Sequence, residues 1–216
     1  MPTINMNKRF ENAYFITGNA YAGKSTMVKI LAEKYNGILC EENYHNKLLP
    51  DLDKNEFPCV TYTRDLEDFH DFIRRSPEEY SSWIDGAARE CEILELRILD
   101  ELPKDKPIFV DTNISLETLR KITDHSHVLV MIADPDISVK RFFERPDREK
   151  QYLYQLIMEE KDSKAAMENY REGLKRINSI EKYNKFLNSG FNVIKRDDNR
   201  TIEETLKLVE KAFNLN

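Results

Sequence analysis

The amino-acid sequence predicts an α/β fold in which parallel strands alternate with helices. Short apolar runs typical of buried strands alternate along the chain with longer amphipathic segments. Two of those segments begin with a capping pattern that marks a helix start, Ser76 before Glu79 and Thr201 before Glu204. Because the connections between strands contain helices, the strands should be parallel, and helices should cover both faces of the sheet. The 216 residues suit one domain over 1–216.

The first part of the chain predicts two strands and two helices. Residues 13–17 combine apolar, aromatic and β-branched side chains, which is typical of a buried strand. Residues 24–35 repeat apolar side chains at helical spacing, and residues 37–40 form a second short apolar run. Residues 43–58 are irregular, and the spacing of apolar residues over 64–75 predicts a further helix.

The rest of the chain predicts three more strands. A helix should begin after the N-cap Ser76, with Pro77 as its first residue, and run to about Leu102. Apolar runs predict strands at 108–110, 127–133 and 191–194. The remaining helices are predicted after Ser115, over 136–144, as one long or two consecutive helices within 150–187, and from Thr201 to Phe213.

Composition narrows the class of protein. The net charge is −6, from 33 Lys and Arg against 39 Asp and Glu, which argues against binding to a long nucleic acid. The three cysteines, Cys40, Cys59 and Cys91, form no CxxC pair, so a reducing compartment is expected. Residues 1–12 lack the apolar segment of a secretory signal, and no run of 18 apolar residues occurs. We therefore expect a cytoplasmic protein without membrane contact, and the oligomeric state stays open.

A phosphate-binding pattern follows the first predicted strand. Gly18-Asn19-Ala20-Tyr21-Ala22-Gly23-Lys24-Ser25, with Thr26 next, has the spacing of the Walker A motif. The glycines permit unusual φ angles, and successive backbone N–H groups together with a helix start attract an anion. We expect Lys24 to reach the β- and γ-phosphates of ATP and Ser25 to bind Mg²⁺. An ordinary strand-to-helix turn is the alternative, and the flanking strand and helix patterns disfavour it.

The loop interior carries no additional glycine, and Tyr21 is bulky for this place. Its ring could cover the phosphates or point to solvent. The sequence leaves both arrangements open.

Acidic residues end two of the predicted strands. Asp111 follows Ile108-Phe109-Val110, the pattern of a Walker B strand, so its carboxylate could complete the Mg²⁺ shell; the alternative is a turn or N-cap aspartate. Glu41 and Glu42 follow the second strand, and one of them could accept a proton from an acceptor hydroxyl. Glu41 is favoured because it is closer to the strand end, and the alternative is a pair of exposed loop acids.

An arginine cluster follows the fourth predicted strand. Arg141 and Arg145 are four residues apart, which places them on one helix face, and Arg148 follows after the break at Pro146. Arginines brought over the γ-phosphate by a closing lid would stabilise the charge of the transition state. The alternative is a solvated basic face paired with neighbouring acids. Downstream of a phosphate loop, the lid interpretation is favoured.

With these motifs, the chain resembles the small P-loop kinases of the nucleoside-monophosphate kinase and shikimate kinase group. The resemblance is specific at the Walker A motif and follows the order of elements over nearly the whole chain. It implies a three-layer α/β/α P-loop NTPase fold with a five-stranded parallel sheet in the order 2-3-1-4-5. It also implies an acceptor-binding helical region at 43–102, a lid at 141–150, and adenine wrapped by Lys195-Arg196-Asp197-Asp198, which makes Arg196 a nucleotide contact.

The region expected to bind the acceptor departs from that group. Shikimate kinases usually have an aspartate where this chain has Glu41-Glu42, and residues 43–102 are longer and more acidic than in nucleotide kinases. Candidate acceptor contacts are Arg64, Trp83 and Arg89. The spacing of Trp83 favours a core position, and the two arginines favour surface ion pairs.

Three functions follow from these residues. The leading one is an ATP-dependent kinase acting on a hydroxyl or phosphate of a small metabolite. The second is a nucleoside, nucleotide or nucleic-acid 5′-end kinase, because Asp111-Thr112-Asn113 is similar to a segment of polynucleotide-kinase-like members. The third is a regulatory nucleotide-binding ATPase without a small acceptor, in which residues 43–102 dock a protein partner. The identity of the acceptor and the preference for ATP or GTP stay open.

Overall fold

A five-stranded parallel sheet organises the chain. The structure is a computed structural model that describes residues 9–144 and 148–215. The strands are β1 (Ala13–Gly18), β2 (Ile38–Cys40), β3 (Ile108–Asp111), β4 (Val128–Ile132) and β5 (Asn192–Lys195). Their order in the sheet is β2-β3-β1-β4-β5, and every pairing is parallel. This confirms the predicted α/β fold and the strand order implied by the resemblance.

Helices connect the strands and form a lobe beside them. The helices in the described residues are α1 (Lys24–Lys34), α2 (Pro58–Thr61), α3 (His70–Ile73), α4 (Pro77–Glu101), α5 (Leu116–Ile122), α6 (Pro135–Lys140), α7 (Arg148–Glu159), α8 (Ser163–Ile177), α9 (Ile180–Leu187) and α10 (Ile202–Phe213). None of the helices in these residues has both the length and the apolar character needed to span a membrane.

The sheet is covered on both faces, which makes three layers. On one face, side chains of α1 and α10 pack on a buried cluster that includes Ile16 of β1. On the other face, α4, α5 and α9 pack on a cluster that includes Phe15. Neighbouring residues of β1 thus face opposite layers, as expected for a strand buried on both sides. A third cluster joins α3, α4, α7 and α8 into a helical lobe outside the sheet.

The strand register brings the polar strand ends together. β1 pairs with both β3 and β4 at the centre of the sheet. Ile16 lies beside Asp111 of β3, and Gly18 lies beside Met131 of β4. Ligands of such sheets bind at the carboxyl ends of the strands, so this edge is the expected binding edge.

The predicted helix over 64–75 is wrong, since only the four residues of α3 are helical there. Side-chain hydrogen bonds, some of them to an earlier segment of the chain, compete with helix formation here. The Arg64 guanidinium donates to the carbonyls of Leu49 and Leu52, at 2.8 and 2.9 Å. The backbone N–H of His70 donates to the Asp68 carboxylate at 2.8 Å, and this bond opens α3.

Two other helix predictions also need correction. The helix predicted at 136–144 ends at Lys140, and a short 3₁₀ turn follows at Phe142–Glu144. The segment predicted as one or two helices within 150–187 contains three helices. Asp162 and Ser179 break it, because each side chain caps the start of a new helix by accepting a backbone N–H bond.

Helix α4 connects several segments through carboxylates. Glu90 accepts hydrogen bonds from the backbone N–H groups of Cys59 and Val60, at the start of α2. Glu92 accepts one from the N–H of Ser115, the N-cap of α5, at 2.9 Å. Carboxylates are favourable at helix N-termini because the unpaired N–H groups there carry partial positive charge.

Candidate active site

The phosphate loop lies between β1 and α1. Gly18 has a φ of 135°, and a Cβ there would lie 1.8 Å from the carbonyl oxygen of Met131, so only glycine fits. Gly23 has a φ of 90° and precedes α1. No side chain of the described residues caps α1, so the N–H groups of its first turn remain available to an anion.

The interior of the loop is held by its own side chains. The Asn19 amide donates to the carbonyl of Ala133 and accepts from the N–H of the same residue, both at 2.7 Å. These two hydrogen bonds connect the loop to the chain just beyond the last paired residues of β1 and β4. Ala22 is buried beneath the loop, and Thr26 is exposed on α1.

Asp111 lies directly beside the start of α1. Its carboxylate accepts a hydrogen bond from the Ser25 hydroxyl at 2.7 Å, and the Lys24 ammonium is 3.7 Å from its other oxygen. Burial raises the pKa of Asp111, while Lys24 and Ser25 partly oppose that shift. A buried carboxylate beside a hydroxyl oxygen provides two hard oxygen atoms and a charge that a divalent cation would neutralise. The Ser25–Asp111 pair therefore fits Mg²⁺.

The two glutamates follow β2 at the same edge of the sheet. Cys40 of β2 is level with Val110 of β3, so the residues after each strand are neighbours. Glu41 and Glu42 are both exposed and line the same cleft as Ser25. Glu42 is the one whose charge raises the pKa of Asp111.

A cleft of about 920 Å³ separates the phosphate loop from the helical lobe. Six aromatic side chains contribute to its wall: Tyr21, Phe72, Tyr80, Trp83, Phe142 and Tyr170. Ile30, Ile84, Leu153 and Ile177 add aliphatic side chains. The polar part includes the two glutamates, Lys29, Asn43, Arg148 and Lys150.

Trp83 packs against the buried cluster of the helical lobe and also lines this cleft. Its indole N–H donates to the Cys59 carbonyl at 2.8 Å, and the Arg75 guanidinium lies 5.2 Å from its ring centroid. These contacts fix the ring. The other two candidate acceptor contacts, Arg64 and Arg89, do not line the cleft.

The predicted lid arginines are only partly described. Arg141 lies just after α6, where its exposed side chain pairs with Glu144 at 2.8 Å. Arg145 lies outside the described residues. Arg148 opens α7 and lines the cleft. Because α6 ends at Lys140, Arg141 is not on the helix face that the sequence predicted.

Arg196 follows β5 and reaches the phosphate loop. Its guanidinium pairs with Asp198 at 2.7 Å and donates to the backbone carbonyl of Tyr21. The side chain is therefore bound to the loop itself.

A buried polar cluster lies behind Asp111, and sequence reasoning did not identify it. Glu95 of α4 is fully buried and accepts hydrogen bonds from the Thr112 hydroxyl at 2.6 Å and from the side-chain amide of Asn113 at 2.8 Å. His45 and Cys91 complete the cluster, with 3.1 Å between the His45 Nε2 and Cys91 Sγ atoms. Burial raises the pKa of Cys91 to about 12, so its thiol is protonated at neutral pH. Glu95 thus holds the buried Thr112 side chain and the exposed Asn113 side chain in place.

The cleft-lining aromatic residues were also missed as a group. Phe72, Tyr80 and Tyr170 come from three helices that are distant in sequence. All three also pack in the buried cluster of the helical lobe, which accounts for one side of each ring. Only the packing of the lobe against the phosphate loop brings their other sides to the cleft.

Comparisons with known proteins give structural likenesses only. No protein-family model matches the sequence, and no curated protein matches it. Among solved structures, the chain is similar to a deoxyadenosine kinase from M. mycoides with bound dATP, at 12% identity and a TM-score of 0.47, covering 94% of this chain and 99% of that one. It is also similar to YorR protein from Bacillus subtilis in complex with phosphorylated GDP, at 18% identity and a TM-score of 0.34, covering 94% and 96%.

The strand order and the phosphate loop define the class of fold. The chain has a three-layer α/β/α P-loop fold. This agrees with the resemblance to small P-loop kinases.

Proposed function

We propose that this chain is an ATP- and Mg²⁺-dependent phosphotransferase that acts on a small acceptor bound in the 920 Å³ cleft. One observation carries the proposal. The phosphate loop, the Ser25–Asp111 pair and the two glutamates after β2 meet at one edge of the sheet, beside an open cleft with aromatic side chains in its wall. A phosphate donor, a cation and an acceptor hydroxyl would therefore be close together.

Each part of the loop has a role in binding the triphosphate. The backbone N–H groups of residues 18–26 and the N-terminus of α1 would hold the phosphates, and Lys24 would contact the β- and γ-phosphates. Ser25 and Asp111 would hold Mg²⁺, which neutralises phosphate charge when bound. Arg148, and Arg141 or Arg145 after movement of the lid, would stabilise the charge on the transferred group.

The reaction needs a proton acceptor beside the cleft. Glu41 or Glu42 would take the proton from the acceptor hydroxyl as its oxygen forms a bond with the γ-phosphorus. The bond between the γ-phosphorus and the β,γ-bridging oxygen breaks, and its electron pair stays on ADP. The products are the phosphorylated acceptor and ADP, and the proton is released later from the glutamate.

The lining of the cleft favours an acceptor with a planar ring, such as a nucleoside. The apolar part is lined by aromatic side chains, which can stack on a planar base. A nucleic-acid 5′-end kinase is disfavoured, because the net charge of −6 argues against binding a long polyanion. A nucleoside is therefore the acceptor we propose.

The single tryptophan makes this proposal testable. Trp83 lines the cleft, so an acceptor that stacks there should change its fluorescence. We would titrate nucleosides, sugars and cyclitols in the presence of Mg²⁺ and a non-hydrolysable ATP analogue, and measure ADP formation with ATP. A fluorescence change together with stimulated turnover for nucleosides is expected.

Lys24→Ala provides the loss-of-function control, and Lys34→Ala its matched variant. Lys34 lies on the same helix, pairs with Glu210 and is distant from the loop. Lys24→Ala should abolish turnover with the fold intact, while Lys34→Ala should retain it. If no member of the panel stimulates ADP formation, a kinase acting on a small acceptor is refuted. Slow hydrolysis that only a protein partner changes would favour the regulatory ATPase.

A further inference from the structure

The interior of the phosphate loop is bonded stepwise to the chain that follows β4. Asn19 pairs with the backbone of Ala133 through two hydrogen bonds. The carbonyl of Ala20 accepts a hydrogen bond from the buried Ser138 hydroxyl of α6 at 3.3 Å. The Tyr21 hydroxyl donates to the carbonyl of Arg141. Successive loop residues thus contact successive parts of residues 133–141.

Tyr21 adopts a backbone conformation that is disfavoured for a residue with a Cβ. Its φ is 65°, in the left-handed region. Such conformations persist where surrounding contacts hold them, and they concentrate at functional sites. Here the Arg196 guanidinium donates to the Tyr21 carbonyl, and the Tyr21 hydroxyl reaches Arg141. Both ends of the residue are therefore held by chain segments outside the loop.

The contact with Arg141 lies at a structural junction. Helix α6 ends at Lys140, and the Arg141 carbonyl also accepts the N–H of Glu144, which closes the 3₁₀ turn at Phe142–Glu144. The Tyr21 hydroxyl thus bonds to the point where the direction of the chain changes. The same segment carries the Arg141 side chain and Phe142, a wall of the cleft.

We propose that Tyr21 is a positioning residue that couples occupancy of the phosphate loop to residues 135–144. Binding of the triphosphate fixes the loop, and the Tyr21 hydroxyl transmits that restraint to the α6 junction. The junction then holds Arg141 and the Phe142 wall in place during transfer. This inference rests on the proposed function, because the coupling requires that the loop binds a triphosphate. The sequence left open whether the Tyr21 ring covers the phosphates or points to solvent. In the structure its hydroxyl is bonded to the carbonyl of Arg141.

Hydrogen–deuterium exchange tests the coupling directly. In the wild-type protein, Mg²⁺ and a non-hydrolysable ATP analogue should slow exchange in residues 18–26 and also in 135–144. In Tyr21→Phe, which lacks only the hydroxyl, protection of 18–26 should remain and protection of 135–144 should be lost. Tyr35→Phe is the matched control, because it removes a hydroxyl that donates to Glu210 at 2.9 Å, away from the loop. It should behave as the wild type does.

Kinetics give a second, independent readout. The kcat of Tyr21→Phe should fall by about tenfold, the effect of one hydrogen bond present in the transition state, with an unchanged Kd for ATP. Tyr21→Gly relieves the left-handed strain but removes a ring that packs against the core, so its stability should differ from that of Tyr21→Phe, yet it should lose the same coupling and kcat. Two variants with different stabilities and the same functional loss would separate positioning from folding.

The possible contradicting results are distinct. Normal protection of 135–144 and normal kcat in Tyr21→Phe would overturn the role of Tyr21. A weaker Kd for ATP with unchanged kcat would do so as well, since Tyr21 would then be a binding residue only. A wild-type protein that binds no ATP would overturn the proposed function and this inference together. ATP binding without any accepted phosphoryl acceptor would affect only the proposed function, because the exchange experiment still reports on Tyr21.

Discussion

Replacement of Glu95 by leucine should destabilise the protein far more than replacement by glutamine. Glu95 is fully buried, and its carboxylate accepts hydrogen bonds from the Thr112 hydroxyl and from the backbone and side chain of Asn113. Leucine has a similar size but accepts none of them. The Glu95→Leu variant therefore leaves the buried donors of this cluster without partners.

The magnitude follows from the number of donors and their burial. A buried donor left without a partner costs about 1–3 kcal/mol. Thr112 is buried, whereas Asn113 is exposed, and water can satisfy part of its side chain. We therefore expect a loss of about 2–4 kcal/mol in the free energy of unfolding, which lowers Tm by roughly 4–16 °C in a chain of this size.

Glutamine should be tolerated better because its amide keeps one oxygen that can accept the hydrogen bond from Thr112. The Nδ1 atom of His45 lies 3.6 Å from a Glu95 oxygen, and it has no hydrogen-bond partner among the described residues. The nitrogen of the Glu95→Gln amide can face this atom when the His45 imidazole adopts the tautomer that leaves Nδ1 without a hydrogen. The loss should then stay below about 1 kcal/mol, the usual net contribution of one hydrogen bond.

Thermal and urea unfolding of both variants would measure this difference. Glu101→Leu and Glu101→Gln are the matched controls, because Glu101 is exposed on the same helix. They should change the free energy of unfolding by less than about 0.5 kcal/mol. Equal losses for Glu95→Leu and Glu95→Gln would mean that the negative charge, not the hydrogen bonds, holds the cluster, and our reasoning would be refuted.

Two further predictions concern the phosphate loop and the buried carboxylate. Gly18→Ala should lower Tm much more than Gly23→Ala, because the new Cβ meets the Met131 backbone only at Gly18; comparable Tm values in thermal scans would contradict this. Asp111→Asn should not lower Tm at pH 7 without Mg²⁺, because burial raises the pKa of Asp111 and the ionised form therefore opposes folding. Any gain in Tm of Asp111→Asn over the wild type should disappear as the pH falls below the raised pKa, because the Asp111 carboxyl is then protonated. Thermal scans from pH 7 to pH 4 would measure this, and a gain that grew as the pH fell would contradict the prediction.

The sequence predicts the sheet and the phosphate loop well because their signals are local. Apolar runs define the strands, and the capping boxes at Ser76 and Thr201 predict the starts of α4 and α10. Gly18 and Gly23 belong to a motif whose spacing is visible in the sequence itself, and both have positive φ angles. The motif can therefore be recognised without distant residues, although the contact that excludes a Cβ at Gly18 comes from Met131.

The parts that failed depend on contacts between distant residues. The helix predicted at 64–75 is lost to bonds from Arg64 to carbonyls more than ten residues earlier. The partners of Tyr21 lie 120 and 175 positions away in the chain. Apolar periodicity also cannot distinguish a ring that is wholly buried from one such as Tyr170, which lines a cleft with one edge. Such assignments require the three-dimensional packing.

The three carboxylates of α4 have a consequence for how such proteins diversify. Glu90, Glu92 and Glu95 each secure a different segment, and the last one holds the residues next to Asp111. The region proposed to bind the acceptor is therefore joined to the proposed catalytic edge of the sheet through one helix. A chimera that exchanged residues 43–102 for those of a related protein would have mismatched anchors at Ser115, the N-cap of α5, and at Thr112 and Asn113 after β3. New acceptor preferences should therefore arise by point changes on the α4 face toward the cleft, rather than by exchange of the whole region.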